Sequence, residues 1–180
     1  MPLEGSPQLE ARLEKLFKAI DRDGSGCVER SDYERVVDRY NTLFEVDPES
    51  PEGQELLGAH MMLYSEVVRH AQGHDRVSKQ EYVSALLQML VETNRDNLLM
   101  AMPNAVFDVI DRNDDDMIDE QEFRRFLQVW QIDSPATMEV FTRLDTDRDG
   151  RISRHEYVSS WRDFFSDSTT APGTLYCRCA

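Results

Sequence analysis

The sequence predicts an all-α fold of four helix–loop–helix units in two pairs, packed together as one compact body. Three twelve-residue stretches, 21–32, 111–122 and 145–156, carry oxygen-bearing side chains at alternate positions and a carboxylate at the end. Around each stretch, apolar residues recur at spacings of three, four and seven, which is the period of an amphipathic helix. A fourth, weaker unit fits around residues 70–81. We predict short two-stranded β ladders between the paired loops.

Serine–proline pairs mark the expected starts of three helices. A serine side chain caps free amides at a helix start, and proline suits the first helical position because it lacks an amide hydrogen. The pairs are Ser6–Pro7, Ser50–Pro51 and Ser134–Pro135. After the first pair, Leu9, Leu13, Phe17 and Ile20 continue the helical period up to the first loop. The first unit is therefore a helix, a loop and a second helix.

The three strong loops have the oxygen pattern of a calcium site. Ca²⁺ binds about six to eight oxygens, which a tight loop supplies from positions 1, 3, 5, 7 (its carbonyl), 9 and 12. In the first loop the predicted ligands are Asp21, Asp23, Ser25, the Cys27 carbonyl, Glu29 and Asp32. In the next they are Asp111, Asn113, Asp115, the Met117 carbonyl, Asp119 and Glu122. In the last they are Asp145, Asp147, Asp149, the Arg151 carbonyl, Ser153 through water, and Glu156.

The charge of the chain agrees with three cation sites. The formal net charge is −15. A solvated acidic surface would spread its acids along helix faces, whereas 12 acids here lie at predicted ligand positions in the three loops. An acidic chain is also a poor candidate for nucleic-acid binding. We predict calcium ions as the ligand and exclude nucleic acid as a partner.

The fourth unit, 70–81, has a degenerate loop. It keeps Val77 at position 8 and Glu81 at position 12. Polar residues stand where carboxylates are expected: His70, Gln72 and His74. We expect a unit that keeps its shape and has lost its ion. A transition-metal site at the two histidines is the alternative, but no cysteine or further histidine lies near them to complete it.

An amphipathic helix–loop–helix unit cannot bury its own apolar face, so the units must pair. Pairing places Val28 opposite Val77, and Ile118 opposite Ile152, in antiparallel ladders. The predicted parts are an N-terminal pair over 7–95, a C-terminal pair over 96–166 and a tail over 167–180. The connector between the pairs is apolar, so we expect the pairs to pack against each other: Leu86, Leu87, Met89, Leu90, Val91, Leu98, Leu99, Met100, Met102, Val106 and Phe107.

These loops resemble those of the EF-hand superfamily and, more narrowly, the sarcoplasmic calcium-binding protein and calerythrin family. The resemblance covers about residues 7–166. In that family four EF-hands occur, the second is commonly silent, and the first often ends in Asp, as Asp32 does here. One departure is Asp116, which replaces glycine at position 6 and must adopt a left-handed conformation. The resemblance implies an intracellular calcium buffer.

The loops also predict an order of affinity. The 145–156 loop meets every requirement and should bind most tightly, followed by 111–122 and then 21–32. In the 21–32 loop, Asp32 is one methylene shorter than glutamate, and lower coordination favours Mg²⁺ relative to Ca²⁺. Mg²⁺ is therefore a second expected ion at that loop, where Glu29 could compensate by reaching the ion directly.

The sequence leaves a calcium sensor as the alternative to a buffer. A sensor exposes an apolar groove to a protein partner when it binds Ca²⁺, and Met-rich surfaces suit that role, although methionines also fill cores.

Enzyme activity is not expected. The light-emitting photoproteins, which are related, place a histidine after the last loop, where this chain has Trp161. Without a segment long enough to cross a membrane or a targeting signal, we expect a cytoplasmic monomer.

Overall fold

The computed structural model describes residues 5–91, 95–132 and 137–166, with the side chains of 95–99 and 137 left out of the description. The described residues form eight α-helices and four two-residue strands. The elements of the first half are α1 Pro7–Ile20, β1 Cys27–Val28, α2 Arg30–Phe44, α3 Pro51–His70, β2 Val77–Ser78 and α4 Lys79–Val91. Those of the second half are α5 Arg95–Ile110, β3 Met117–Ile118, α6 Glu120–Val129, α7 Thr137–Leu144, β4 Ile152–Ser153 and α8 Arg154–Phe164.

Two of the predicted helix starts are confirmed. The Ser6 hydroxyl accepts a hydrogen bond from the Leu9 amide at 3.2 Å, and α1 begins at Pro7. The Ser50 hydroxyl accepts one from the Gly53 amide at 3.1 Å, and α3 begins at Pro51. The third predicted start, at 134–135, lies outside the described residues.

The two β ladders join the loops as predicted. β1 pairs antiparallel with β2, with Val28 opposite Val77. β3 pairs antiparallel with β4, with Ile118 opposite Ile152. All four side chains are fully buried, so each ladder fixes the separation of two loops and anchors them to the core.

The core consists of two clusters, and each contains residues from both halves of the chain. One surrounds α5 to α8 and also includes Val36, Tyr40 and Phe44 of α2. The other surrounds α1, α3 and α4 and includes Phe164 at the end of α8. This exchange of side chains confirms the prediction that the two pairs pack as one body.

The apolar connector is mostly in this core, since Leu86, Met89 and Phe107 are buried. Val91 is an exception, with 62% of its surface exposed. The side chains of 98 and 99 are outside the description. Among the described residues, no helix combines the length and the apolar character that a bilayer crossing requires.

Candidate calcium sites

The three strong loops share one hydrogen-bond pattern. In each, the position-1 aspartate accepts the backbone amides of positions 5 and 6, one on each carboxylate oxygen. The N–O distances are 2.8 to 3.2 Å. The groups are Asp21 with Ser25 and Gly26, Asp111 with Asp115 and Asp116, and Asp145 with Asp149 and Gly150. These bonds bend the chain around the first carboxylate.

Left-handed residues at positions 4 and 6 produce the turn. The φ angles lie between 56° and 88° at Gly24, Gly26, Asp114, Asp116, Arg148 and Gly150. The prediction that Asp116 adopts this conformation is confirmed, with φ at 62°. Glycine adopts it without steric cost, and aspartate tolerates it better than most residues. All three loops therefore follow the same backbone path, although only two have glycine at position 6.

The position-12 glutamates reach back across their loops. One oxygen of Glu156 accepts the Thr146 amide at 2.8 Å, and the other accepts the Ser153 amide at 2.8 Å. Glu122 does the same, accepting the Arg112 amide at 3.0 Å and the Asp119 amide at 2.9 Å. The carboxylate of each exiting helix is thus fixed over the start of its loop.

Asp32 does not reach back in this way. Its carboxylate accepts the Glu29 amide at 2.7 Å and a hydrogen bond from Arg35. The Arg22 amide corresponds to the Arg112 and Thr146 amides that donate to Glu122 and Glu156, but it donates to the Ile20 carbonyl at 2.8 Å instead. The shorter side chain predicted to weaken this site therefore has a different set of partners.

In the 145–156 loop the carboxylates converge. One oxygen from each of Asp145, Asp147 and Asp149 lies within 4.8 Å of the others. A backbone hydrogen bond from Asp149 lowers the pKa of Asp147, but desolvation and repulsion from neighbouring carboxylates outweigh it and raise the pKa overall. Burial raises the pKa of Glu156, but hydrogen bonds, chiefly from Thr146 and Ser153, lower it to about 2. A divalent cation would relieve the repulsion among these groups.

The loops differ in how many of their carboxylates at predicted ligand positions pair with arginine. In the 21–32 loop, Arg35 contacts both Asp23 and Asp32, and Arg76 pairs with Glu29 at 2.9 Å. Glu29 is thus held by Arg76 across the ladder. In the 111–122 loop, Asp115 pairs with Arg151. Among the described residues, no lysine or arginine pairs with a carboxylate of the 145–156 loop.

The position-9 residues also cap the exiting helices. The Asp119 carboxylate accepts the Gln121 and Glu122 amides, both at 2.8 Å, at the start of α6. The Ser153 hydroxyl accepts the Glu156 amide at 3.3 Å at the start of α8. Sequence reasoning missed this second role, although a capping residue followed by glutamate three positions later was its signal.

The donors suit a hard cation such as Ca²⁺, because they are carboxylate, amide, hydroxyl and carbonyl oxygens. In the 21–32 loop the Ser25 hydroxyl lies 2.9 Å from the Cys27 carbonyl oxygen and 3.2 Å from an Asp21 oxygen. In the 111–122 loop the Asp115 amide donates to Asn113 at 3.0 Å, and the Met117 amide donates to Asp115 at 3.0 Å. These contacts bring Asp21, Ser25 and Cys27 together in the first loop, and Asn113, Asp115 and Met117 in the 111–122 loop.

The 70–81 loop keeps its ladder and exiting helix but not its turn. The left-handed residues are Gln72 and Gly73, at positions 3 and 4, and the Gly73 amide donates to the Val68 carbonyl at 2.9 Å. This is the Schellman ending of a helix. The expectation that the unit keeps its full shape was therefore wrong for the turn, because position 1 has no carboxylate to hold the amides.

The 70–81 loop is closed by protein contacts. His74 lies 2.9 Å from Glu81, and the Ser78 amide donates to Glu81 at 2.9 Å. The hydrogen bonds from Ser78, together with His74, lower the pKa of Glu81 to about 2. His70 lies 3.3 Å from the Gln88 side chain. The position-12 carboxylate is thus engaged by polar residues of its own loop.

Comparison with known proteins agrees with this geometry. A family model described as an EF-hand domain pair matches residues 104–162, and an EF-hand model matches residues 13–37. These two regions of the chain are therefore similar to EF-hands. The two matched ranges do not include the 70–81 loop.

The chain is similar to calerythrin of Saccharopolyspora erythraea, with 27% identity over 85% of this chain and 89% of that protein. It is also similar to the sarcoplasmic calcium-binding protein of Perinereis vancaurica tetradentata, with 22% identity over 92% and 94% of the two chains. A solved calcium-binding protein of Streptomyces coelicolor has a TM-score of 0.74 and 25% identity, over 87% of this chain and 97% of that one. These relatives are calcium-binding proteins, not enzymes, in agreement with the prediction that this chain is not an enzyme.

Proposed function

We propose that the chain binds three Ca²⁺ ions through the 21–32, 111–122 and 145–156 loops. The observation that carries the proposal is the repeated pattern in which a position-1 aspartate accepts two amides of its own loop. The ligands are the residues at positions 1, 3, 5, 7, 9 and 12 that the sequence predicts. The 70–81 loop binds no Ca²⁺ under this proposal, because its left-handed residues are at positions 3 and 4 instead of 4 and 6.

The proposed order of affinity is 145–156, then 111–122, then 21–32. The arginine contacts support this order. A guanidinium paired with a ligand carboxylate either moves away when the ion binds or stays and repels the ion, and both lower the affinity. Counting only carboxylates at predicted ligand positions within the described residues, the last loop has no such contact, the middle loop has one at Asp115, and the first has three at Asp23, Asp32 and Glu29. At the first loop we also propose Mg²⁺ binding, since the shorter Asp32 side chain reaches the ion with only one oxygen, and lower coordination favours Mg²⁺.

Calorimetric titration of Asp21→Ala, Asp111→Ala and Asp145→Ala variants tests the order. Each variant should lose one ion. Asp145→Ala should remove the tightest phase of the titration, and Asp21→Ala should leave that phase intact. Loss of the tightest phase in Asp21→Ala would show that the order is wrong.

We propose that the chain acts as a cytoplasmic calcium buffer and works as a monomer. Packing of the two pairs into a shared core supports this role, because a buffer keeps its apolar faces covered. Met89 is buried, and the exposed large apolar side chains within the described residues are Met62 and Val91. A location inside the cell is in keeping with the relative named a sarcoplasmic protein. The 7–95 and 96–166 pairs remain our proposed division of the chain.

A calcium sensor is the second candidate. It is favoured by the similar Streptomyces coelicolor protein, which is described in terms of calcium-mediated regulation. A sensor would expose apolar surface to a protein partner when Ca²⁺ binds. Fluorescence of an apolar dye, measured in Ca²⁺ and in chelator, separates the roles. A buffer should bind less dye in Ca²⁺, whereas a large rise in dye binding with Ca²⁺ would favour the sensor.

A further inference from the structure

We propose that Arg35 is a built-in competitor for the cation of the 21–32 loop. Its guanidinium bridges Asp23 and Asp32, at positions 3 and 12, and lies 2.9 Å from the Asp23 carboxylate. Both carboxylates are among the ligands of the proposed Ca²⁺ site. The inference rests on the proposed function and adds a residue that sets the calcium concentration at which this loop fills.

The position of Arg35 on α2 explains the bridge. Arg35 lies three residues after Asp32, so the two side chains are neighbours on one helix face. The Asp32 side chain is only 2% exposed, whereas that of Arg35 is 50% exposed. The arginine can therefore leave toward water, while the carboxylate stays beside the loop. When the ion binds, it would replace Arg35 as the partner of the Asp32 carboxylate.

The 111–122 unit provides an internal comparison for Arg35. Arg125 occupies the place in the 111–122 unit that Arg35 occupies in the 21–32 unit. In the described part of the chain Arg125 makes no ion pair, and its side chain is exposed. Two differences explain this: position 3 is the neutral Asn113, and Glu122 is turned toward the Arg112 amide. Of these two arginines, the one that contacts carboxylates of its loop is therefore the one with aspartates at positions 3 and 12.

The bridge also reduces the net negative charge around the 21–32 loop. Arg35 places one positive charge beside two of the four carboxylates at the predicted ligand positions, and Arg76 places another beside Glu29. The first loop therefore gains less from a divalent ion than the 145–156 loop, whose carboxylates repel one another. As a result, Arg35 raises the Ca²⁺ concentration at which the 21–32 loop fills.

A site-resolved titration of Arg35→Gln tests this inference in the full chain. The Gly26 and Gly150 amides, which donate to Asp21 and Asp145, report on their own loops by nuclear magnetic resonance. We expect the Ca²⁺ concentration at half-saturation to fall about tenfold at Gly26 and to stay unchanged at Gly150. The matched control, Arg125→Gln, should leave Gly26 within about twofold of the wild type.

Two further measurements complete the test. In chelator, Arg35→Gln should lower the melting temperature, because buried Asp32 loses its partner; in saturating Ca²⁺ the loss should disappear. Arg35→Lys should tighten binding at Gly26 less than Arg35→Gln, because an ammonium retains the charge without the planar fork. An unchanged or weaker titration at Gly26 in Arg35→Gln, with a normal response at Gly150, overturns the role of Arg35. A wild-type chain in which neither glycine responds to Ca²⁺ overturns the proposed function as well.

Discussion

The indole nitrogen of Trp130 donates a hydrogen bond to the Tyr40 hydroxyl at 3.2 Å, which joins the end of α6 to α2. The two rings meet edge to face, with centroids 6.4 Å apart. The Arg39 guanidinium lies 5.8 Å from the centre of the indole ring. Arg22, at position 2 of the first loop, donates to the Trp130 carbonyl at 3.4 Å. The 21–32 loop is thus connected to the second pair through one tryptophan.

We predict that Trp130→Phe lowers the free energy of unfolding by about 1–2 kcal/mol, since it removes the hydrogen bond and part of the ring contact. Urea unfolding in chelator measures this change. A double-mutant cycle with Tyr40→Phe should give a coupling energy of about 0.5–1.5 kcal/mol. Strictly additive effects of the two substitutions would mean that the contact does not join the pairs energetically.

The length of the position-12 side chain can be tested by exchanging glutamate and aspartate between two loops. Glu156→Asp should weaken Ca²⁺ binding at the 145–156 loop by about tenfold or more, because aspartate cannot reach back across the loop. Asp32→Glu should tighten binding at the 21–32 loop, where the longer side chain can reach the ion. Calorimetry of both variants measures the two changes. Tighter binding in Glu156→Asp, or weaker binding in Asp32→Glu, would contradict the assigned role of side-chain length.

The buried His60 should make stability depend on pH. It is 3% exposed and its ring nitrogen lies 2.8 Å from the Leu56 carbonyl. Burial lowers its pKa from 6.5 to about 4. Between these values the unfolded chain binds a proton that the folded chain does not. Stability should therefore fall as the pH drops from 6.5 toward 4, with a contribution of about 3 kcal/mol from this residue.

Unfolding in chelator at pH 7 and pH 4 checks this prediction. His60→Gln should lose less stability than the wild type over this range, by about 3 kcal/mol. The exposed His155 provides the control, and His155→Gln should follow the wild type. Parallel pH curves for the wild type and His60→Gln would show that His60 is not held neutral in the folded chain.

Local patterns in the sequence predicted much of the fold and of the candidate sites. The apolar residue at position 8 of each loop predicted the ladder pairs, because a two-residue strand has one buried face and hence one register. The left-handed Asp116 followed from its place in the loop. Spacing within one loop determines the strand position and the left-handed residue, and the ladders follow because each unit must pair with another to cover its apolar face.

Contacts between distant residues could not be predicted in this way. The Trp130–Tyr40 bond joins residues far apart in the chain, and no spacing rule relates them. The contact of Arg35 with Asp23 depends on how α2 leaves the loop. The turn of the 70–81 loop was also missed, because the Schellman ending at Gln72 and Gly73 competes with the calcium-loop path when position 1 lacks a carboxylate.

Equilibrium dialysis with radioactive Ca²⁺ tests the central claim most directly. The wild-type chain should bind three ions, and a variant that combines Asp21→Ala, Asp111→Ala and Asp145→Ala should bind none. Absence of Ca²⁺ uptake by the wild type at millimolar concentration, or retention of three ions by the triple variant, would contradict the assignment of these loops.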